Sequence, residues 1–388
     1  MTATVTVRTT TLEVRIGGVL DPTSFAATCS FGFDQRVAEA TVRRTGGGSI
    51  SVSYWSPIEI RMGATPGAGA AVRFTGYVVP VDNTLFPIEG ILNCRGTLYR
   101  AQWVRQQAAA GRRMDVPAGS GRSDQLQVQD VLTACGITFT AANIGGTGKP
   151  LGSQWIAWQD VLTPGPFTWT KGQPGLAYIE QLDEVSVPDA ATGRYRTFET
   201  LGGQIFRTAL STTPTATPDF SFTEGVDVLE AKITRDPAGA ANRVVVSGQP
   251  LPIGSTVPGV ITVKQYTAQS SSAPYLPPGL PTEPDGFAYV GTEFTSPMIE
   301  KQATADTGST LSCQAVATFL LAEYNCVIDT LAFSTPRDDL LGPCQTIHLS
   351  SPRLGITSAT QHYWLQHLEI TYDERGQFTQ RLTCVRKS

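Results

Sequence analysis

The sequence predicts a mainly β fold: two β-barrels, a small α/β unit and an inserted segment with a helix and an extended arm. Three observations lead to this class. Charged residues make up only 16% of the chain, whereas Gly and Pro number 38 and 26, a balance typical of turn-rich β proteins. Short stretches near both ends alternate apolar and polar residues between glycine-rich turns. A strand pattern near the N-terminus also recurs near the C-terminus, and 388 residues exceed one ordinary core.

The recurrence is a matter of order and spacing. Ile58 and Phe74 lie sixteen positions apart, as do Ile347 and Tyr363, and both segments contain two candidate strands. Phe74 and Cys94 are then twenty positions apart and Tyr363 and Cys384 twenty-one, a difference that one residue in a hairpin turn would produce. We interpret the two segments as copies of one barrel.

The first barrel is predicted over residues 1–112. Its strand candidates alternate or cluster β-forming residues, and loops rich in glycine separate them. These candidates are Leu12–Ile16, Thr28–Phe33, Glu39–Val42, Ile58–Ile60 and Arg73–Val79.

A small α/β domain is predicted over residues 113–225. Ser123 is placed to cap a helix with Leu126, Val131 and Leu132 as apolar positions, and Gly136 is placed to end it. A second helix is predicted from Pro174, with Leu176, Ile179, Leu182 and Val185 on one face. The strands Tyr195–Glu199 and Gln204–Arg207 follow, joined through Gly202 and Gly203 as a hairpin.

The second barrel is predicted from two separate pieces, residues 226–248 and 326–388. Val228–Arg235 and Asn242–Gly248 resemble the early Thr28–Thr41 hairpin and would supply the front half. Residues 249–325 form the insert. Its proline-rich centre, Gln269–Pro284, predicts an extended surface arm, and Ser309 begins an apolar helix predicted to be buried between domains.

Charge and cysteine usage narrow the functional classes. The net charge of -4 and the lack of a Lys/Arg cluster argue against gripping nucleic acid as the main task. Seven scattered cysteines without a CxxC pair indicate buried thiols in a reducing cytoplasm. No signal peptide and no apolar run of membrane-spanning length is found, so no membrane span is expected.

The residue types and spacings that catalysis or metal binding would need favour a protein that is not an enzyme. No catalytic, cofactor-binding or metal-binding residues are predicted: His362 and His367 are five apart in a strand region and should face opposite sides, and Asp338–Asp339 is interpreted as a turn. Trp155, Trp158 and Trp169 lie within fifteen residues. Such a cluster is typical of a small core or a partner contact, and can also bind sugar rings.

Motifs in consistent order along nearly the whole chain resemble the phage tail baseplate hub family, which includes late-control D-like and tail-tip hub proteins. The chain departs from the family pattern around Asp338–Pro343. Cys344 stands where that family commonly has glycine, and Asp339 where proline is common. The motifs are Phe74–Val78, Val131–Ile137, Leu176–Leu182, Gly202–Arg207, Ile233–Asp236 with Asn242–Gly248, and Asp338–Pro343.

The resemblance implies two tail-tube-like β-barrels per chain and a homotrimer whose six barrels form a ring. Such a ring would cap the tail tube, adapt a sixfold tube to a threefold tip and surround a channel. Expected partners are distal tail and tube proteins, a central tip or spike and the tape measure protein, with DNA passing through unbound. The expected location is the virion tail tip, assembled in the host cytoplasm.

Two other functions stay open from the sequence. The chain could be a hexameric distal tail ring protein, although the internal duplication favours a trimer. It could also be a carbohydrate- or receptor-binding tail-tip protein that uses Trp155, Trp158 and Trp169. A wall hydrolase is the least favoured, because no nucleophile, metal or acid/base pattern is found.

Overall fold

A computed structural model describes thirteen ranges of the chain. The ranges are 10–45, 52–63, 70–84, 89–107, 112–113, 123–146, 168–185, 195–209, 214–236, 243–248, 265–269, 300–305 and 328–387.

The N-terminal part is antiparallel β, as the alternating pattern predicts. The strands are β1 (Thr11–Ile16), β2 (Val19–Leu20), β3 (Ser24–Gly32), β4 (Glu39–Thr45), β5 (Pro57–Gly63), β6 (Ala71–Thr84) and β7 (Glu89–Gly96). Five of them, in the order β3-β4-β7-β6-β5, form what we name the first repeat unit. Strand β1 extends this unit by pairing antiparallel with β5.

The C-terminal part repeats this arrangement. Its strands are β12 (Phe220–Thr223), β13 (Glu230–Asp236), β17 (Ile328–Thr335), β18 (Thr346–Ser350), β19 (His362–Tyr372) and β20 (Phe378–Lys387). The order β13-β17-β20-β19-β18 matches the first unit strand for strand, and we name it the second repeat unit. The flanking strand differs, because β12 pairs with β18 in parallel.

Strand registers define which residues are equivalent in the two units. Val78 lies opposite Cys94, and Leu365 lies opposite Cys384; directly after each pair the longer strand carries one extra residue. These matches confirm Cys94 and Cys384 as equivalents.

Tyr363 is equivalent to Gly76, not to Phe74 as the spacing predicted. Ile58 pairs with Gly76 and Ile347 with Tyr363, which displaces the predicted match by two residues. The spacing in the sequence had matched Tyr363 with Phe74, since both are aromatic. A Cβ atom on Gly76, however, would lie 2.2 Å from the carbonyl oxygen of Arg95, so the first unit excludes a side chain there.

The two units share one sheet and one core. Strand β19 of the second unit pairs antiparallel with β3 of the first, which joins thirteen strands into a continuous sheet. A single cluster of buried side chains extends through both units and includes Phe31, Phe74, Phe222, Phe333 and Tyr363. The mainly β fold with a small α/β part is therefore confirmed.

The α/β unit follows the sequence expectation closely. It contains the short helix α1 (Arg100–Trp103), α2 (Asp124–Ala134), α3 (Gly175–Val185), the short strands β8 (Arg112–Arg113) and β9 (Thr168–Trp169), and the hairpin β10 (Tyr195–Thr200) and β11 (Gln204–Ala209). The Ser123 side chain accepts from the backbone N–H of Leu126, and Gly136 has φ +65°.

One apolar position of this unit is not in the core. Leu126 is 43% exposed, and the buried face of α2 instead uses Val128 with Val131 and Leu132. The cap at Ser123 places Leu126 in the first turn of α2, where its backbone N–H donates to the Ser123 side chain.

The predicted pairing of the second unit's first two strands is wrong. Strand β13 pairs with β17, and β14 (Arg243–Gly248) lies in a separate three-stranded sheet with β15 (Gln265–Gln269) and β16 (Glu300–Ala305). Strand propensity identified both strands but not their partners, since pairing depends on residues nearly a hundred positions away.

The domain boundaries themselves stay a prediction. The proline-rich arm at 270–284 and the predicted helix after Ser309 lie outside the described residues.

Within the ranges described, no helix has the length and apolar character needed to cross a membrane.

Candidate assembly surfaces

The junction between the repeat units shows how two such units dock. Six residue pairs connect β19 to β3, from His367 opposite Gly32 to Tyr372 opposite Ala27. The backbone N–H of Phe33 donates to the Gln366 carbonyl at 2.8 Å, and the Gln366 side chain donates to Asp34 at 2.6 Å. The units are therefore joined by backbone pairing at a strand edge.

A buried arginine also links the two repeat units. Arg73 on β6 is fully buried and donates to the carbonyl oxygens of Met62 at 3.0 Å and Asp339 at 2.9 Å, and it forms an ion pair with Asp338. A Cβ atom on Gly63 would lie 2.4 Å from Asp338, so glycine leaves the space that this carboxylate needs. Arg73 thus holds the segment of Asp338 and Asp339 in place, but the turn predicted at these two residues falls later in the loop, at Pro343 and Cys344.

A left-handed turn precedes β5 in the first unit and its equivalent, β18, in the second. Trp55 has φ +65° and Cys344 has φ +69°, values that L side chains rarely adopt. Trp55 N–H donates to the Val78 carbonyl at 2.9 Å, and Cys344 N–H donates to the Leu365 carbonyl at 2.7 Å. The two residues are equivalent, and the left-handed backbone explains why glycine is favoured at the position of Cys344.

The edge of the second unit is open where the first unit's edge is covered. Strand β3 has β4 on one side and β19 on the other, whereas its equivalent β13 has β17 as its single partner among the described strands. Phe31 on β3 is 0% exposed, while the side chain of Arg235, which occupies the same place on β13, is 63% exposed.

A second open edge lies on β6. Its first half pairs with β5 through residues 71–77, and its second half pairs with β7 through residues 76–84. Val78 still bonds on this side to the backbone of Trp55 and Ser56. Beyond Val78, the side of β6 that faces away from β7 has no strand beside it in the part of the chain that the structure describes. The equivalent side of β19 is the one that β3 occupies. Unpaired strand edges are templates for pairing with another chain.

Four aromatic rings lie next to the β6 edge. Trp55 contacts Tyr77 with ring centroids 5.5 Å apart and stacks on Tyr99 at 5.9 Å; Trp103 lies 6.0 Å from Trp55. Trp55 is 40% exposed and Trp103 is 59% exposed. We name these four residues the aromatic cluster. Large exposed aromatic side chains at this density are typical of a contact surface.

A groove of about 390 Å³ runs between the first repeat unit and the α/β unit. Its lining includes Thr75, Tyr77 and Thr97 on one side and Phe139 and Asn143 on the other. Hydroxyl and amide groups beside aromatic faces suit a neutral polar ligand. No sequence signal indicated this groove, because its walls come from four separate stretches of the chain.

The α/β unit is attached to the first repeat unit by Glu199. This carboxyl group is completely buried and accepts from the backbone N–H groups of Thr97 at 2.6 Å, Ala38 at 3.3 Å and Leu98 at 3.4 Å, and from the Thr97 hydroxyl at 2.7 Å. Burial raises the pKa of Glu199 to about 7, although these hydrogen bonds oppose the rise.

A buried charge network holds the α/β unit together. Arg207 is paired at 2.8 Å with both Asp124 and Asp183, and all three side chains are 0% exposed. Asp183 also accepts from the backbone N–H of Thr197 and forms an ion pair with Arg36 of the first repeat unit. The two carboxylates raise the pKa of Arg207 against the opposing effect of burial.

The tryptophans singled out in the sequence are not brought together as a described site. Trp169 is 2% exposed, stacks on Tyr178 at 6.4 Å and donates its indole N–H to the Gln173 carbonyl at 2.8 Å. This is the core packing that the sequence left open as an alternative. Trp155 and Trp158 lie outside the described residues, so their contact role stays a prediction.

The histidines serve packing positions. His362 is buried, with ring nitrogens 2.8 Å from the Thr215 carbonyl and 2.9 Å from the Ala359 carbonyl, and His367 lies 3.4 Å from the Ser30 hydroxyl at the unit junction. Across the described ranges, no group of three or more His, Cys, Asp or Glu side chains is placed to hold a metal ion.

The fold is shared with known phage tail proteins. The 43 kDa tail protein of prophage MuSo2 from Shewanella oneidensis matches with a TM-score of 0.61 and 9% identity, covering 97% of this chain and 98% of that one. A tail protein from Neisseria meningitidis MC58 matches with a TM-score of 0.57 and 10% identity over 97% and 96%. Prophage tail protein gp18 from Listeria monocytogenes EGD-e matches with 0.51 and 10% over 96% and 94%.

Comparison of the sequence with family models and curated proteins identifies no relative. No protein-family model matches the chain, and a search of curated proteins gives no match. The likeness is thus one of fold, and it extends over nearly the full length of each of the three tail proteins.

Proposed function

We propose that the chain is a structural protein of a phage tail tip, in which three copies form a ring that caps the tail tube. The observation that carries this proposal is the edge-to-edge junction of two equivalent units within one chain, together with an open edge on each unit among the described strands. One chain is then a two-unit segment of a larger ring. The fold shared with phage tail proteins supports the same role.

Three copies would place six similar units around one axis. A face built in this way suits a sixfold tail tube, while the alternation of first and second units keeps only threefold symmetry on the other side. The contact from chain to chain would be heterologous, and a closed ring satisfies every such contact. This is how the protein would adapt a sixfold tube to a threefold tip.

The role is one of assembly without chemistry. The ring would contact distal tail and tube proteins on one side and a central tip or spike on the other, and it would surround a channel for the tape measure protein and DNA. A net charge of -4 suits such a channel, since clustered cations would retain the DNA backbone. The site of action would be the virion tail tip, after assembly in the host cytoplasm.

Two alternatives differ in what they expect. A hexameric distal tail ring would contain six chains and therefore twelve units. A carbohydrate- or receptor-binding tail-tip protein would use a polar and aromatic surface, and the groove lined by Thr75, Tyr77, Thr97, Phe139 and Asn143 is the feature that favours it. The sequence offers Trp155 and Trp158 as its other candidate contacts. If they bind a receptor, replacing both with Ala should abolish host adsorption and leave tails intact, whereas the ring proposal, in which they are core or partner contacts, expects defective tails.

The mass of the assembled protein tests the proposal. We expect the full chain to form a particle of three copies, measured by light scattering coupled to size-exclusion chromatography, and a ring of six densities in averaged electron micrographs. A particle of six copies would support the hexameric alternative. A chain that stays monomeric over the whole concentration range would contradict the ring proposal.

A further inference from the structure

We infer that ring closure joins the second half of β6 in one copy to β13 of the next, in one defined register. This inference rests on the proposed ring and specifies its contact. Within one chain, the second half of β19 pairs with β3. The equivalent of β19 in the first unit is β6, and the equivalent of β3 in the second unit is β13. Repeating the same junction between chains therefore unites the two edges left open.

The register follows from the ladders that cross each unit. On β3, Cys29 lies opposite Ala40, which lies opposite Cys94; on β13, Ile233 lies opposite Leu331, which lies opposite Cys384. Since Cys94 and Cys384 are equivalent, Ile233 is the equivalent of Cys29. Arg235 is then the equivalent of Phe31.

The other partner is identified in the same way. Leu368 lies opposite Leu382, and Val81 lies opposite Leu92, each pair two residues before the matched cysteine. Leu368 and Val81 are thus equivalent. Because Leu368 pairs with Phe31 inside the chain, Val81 should pair with Arg235 of the next copy. The full set is Pro80 with Asp236, Val81 with Arg235, Asp82 with Thr234, Asn83 with Ile233, and Thr84 with Lys232.

Backbone chemistry permits this register. Phe33 donates its N–H to the carbonyl of Gln366, so the neighbouring pair His367–Gly32 is a pair that exchanges no hydrogen bonds in an antiparallel ladder. Pro80 occupies the place of His367. Proline has no N–H to donate, and at this position the junction requires none. The proline is therefore compatible with an edge that binds another strand.

Exposure along β13 supports the same contact. Lys232, Thr234 and Arg235 are exposed, whereas Thr28 and Ser30 on β3 are half-buried and Phe31 is fully buried beneath the paired strand. Just before β13, Val226 is 78% exposed and Leu229 is 65% exposed. These two exposed apolar side chains lie next to the open edge of β13, and apolar surface of this kind is typical of a contact site.

The aromatic cluster adds an independent observation at the other edge. Trp55 is the equivalent of Cys344, whose N–H donates to the Leu365 carbonyl; the next residue, Gln366, donates its side chain to Asp34 in the turn that follows β3. Within the chain, then, this left-handed turn lies close to the segment that follows the docking strand. In the first unit Trp55 stands at this turn and is 40% exposed, so the proposed contact would bring the next copy alongside an exposed aromatic surface.

Paired cysteines test the register directly. Pairs that exchange no hydrogen bonds have Cα atoms about 4.5 Å apart, which a disulfide bridges, and diagonal neighbours lie about 7–8 Å apart, which it does not. The matched double variants are Asp82→Cys with Thr234→Cys and Thr84→Cys with Lys232→Cys. The mismatched controls use the same four substitutions recombined: Asp82→Cys with Lys232→Cys and Thr84→Cys with Thr234→Cys.

We expect mild oxidation to convert the matched variants into covalent two-chain and three-chain species on a non-reducing gel, with several-fold loss of the monomer band. The unsubstituted protein gives the background from native thiols; Cys29, Cys94, Cys135 and Cys384 are buried. The mismatched variants should stay near that background.

Mass measured on the same samples separates the two proposals. A three-copy particle in which the matched pairs do not cross-link would overturn the strand pairing and leave the ring intact. Preferential cross-linking of a mismatched pair would overturn the register. A monomer in every sample would overturn the ring and this contact together.

Discussion

Glu199 is the residue whose charge state should be visible in the stability of the whole chain. Its pKa is raised by burial to about 7 from an ordinary value of 4.5, so the folded protein binds a proton that the unfolded chain releases. Stability should therefore be highest below about pH 4.5 for this group and should fall as pH rises through about 7. The loss amounts to about 3 kcal/mol at most.

The substitution Glu199→Gln tests this dependence. The variant loses acceptor capacity toward Thr97, Ala38 and Leu98, so it should be less stable than the wild type at pH 5. The deficit should shrink at pH 8, where the wild type carries a buried charge. Urea unfolding of both proteins at the two pH values measures this, and a deficit independent of pH would contradict the raised pKa.

Arg207 makes a second residue-level prediction. Arg207→Met should lower the free energy of unfolding by about 3–5 kcal/mol, because it removes the buried cation that Asp124 and Asp183 share and leaves Asp183 paired with Arg36. Arg196→Met is the matched control: Arg196 lies 3.7 Å from an exposed Asp34, and its loss should cost at most about 1 kcal/mol. Equal shifts of the urea midpoint in the two variants would show that the buried network contributes nothing special.

At the scale of elements, the left-handed turn before β18 is the feature most sensitive to residue type. Cys344 has φ +69°, which costs a non-glycine residue about 1–2 kcal/mol. Cys344→Gly should leave the midpoint of thermal unfolding unchanged or raise it, since the relieved strain offsets the lost contacts of the thiol. Cys344→Val should lower it, because a β-branched side chain fits this backbone worst. The reverse order of the two variants would rule out backbone strain at this turn.

The elements also show what pattern reading can achieve. Ser123, Gly136 and the Gly202–Gly203 hairpin carry local signals, and the structure has the helix α2 and the β10–β11 hairpin where those signals predict them. Strand β14 carries an equally clear signal and still has an unexpected partner, β16, through parallel pairing. Strand propensity depends on a residue and its neighbours, whereas pairing depends on what the rest of the chain brings alongside.

At the scale of the whole molecule, the duplicated unit and its junction are the features that matter for assembly. One chain contains one complete junction, between β19 and β3. Its outer edges, on β6 and β13, carry the strands equivalent to β19 and β3, which could form the same junction with other copies. At each edge, the strand has one side paired and the other open among the described residues. This arrangement suits a segment of the proposed ring, and the proposed β6–β13 contact would close that ring with backbone pairing already used inside the chain.

The sequence by itself determined the mainly β class, the duplication, the helices of the α/β unit and the turn residues, because period, capping and glycine usage are local properties. The exact equivalence of Gly76 with Tyr363, the partner of β13 and the burial of Arg73 beside Asp338 were decided only by the tertiary structure. Each depends on which distant backbone or charge comes into contact, and no local pattern encodes that. The same holds for the open edges, since an edge is defined by the strand that is missing beside it.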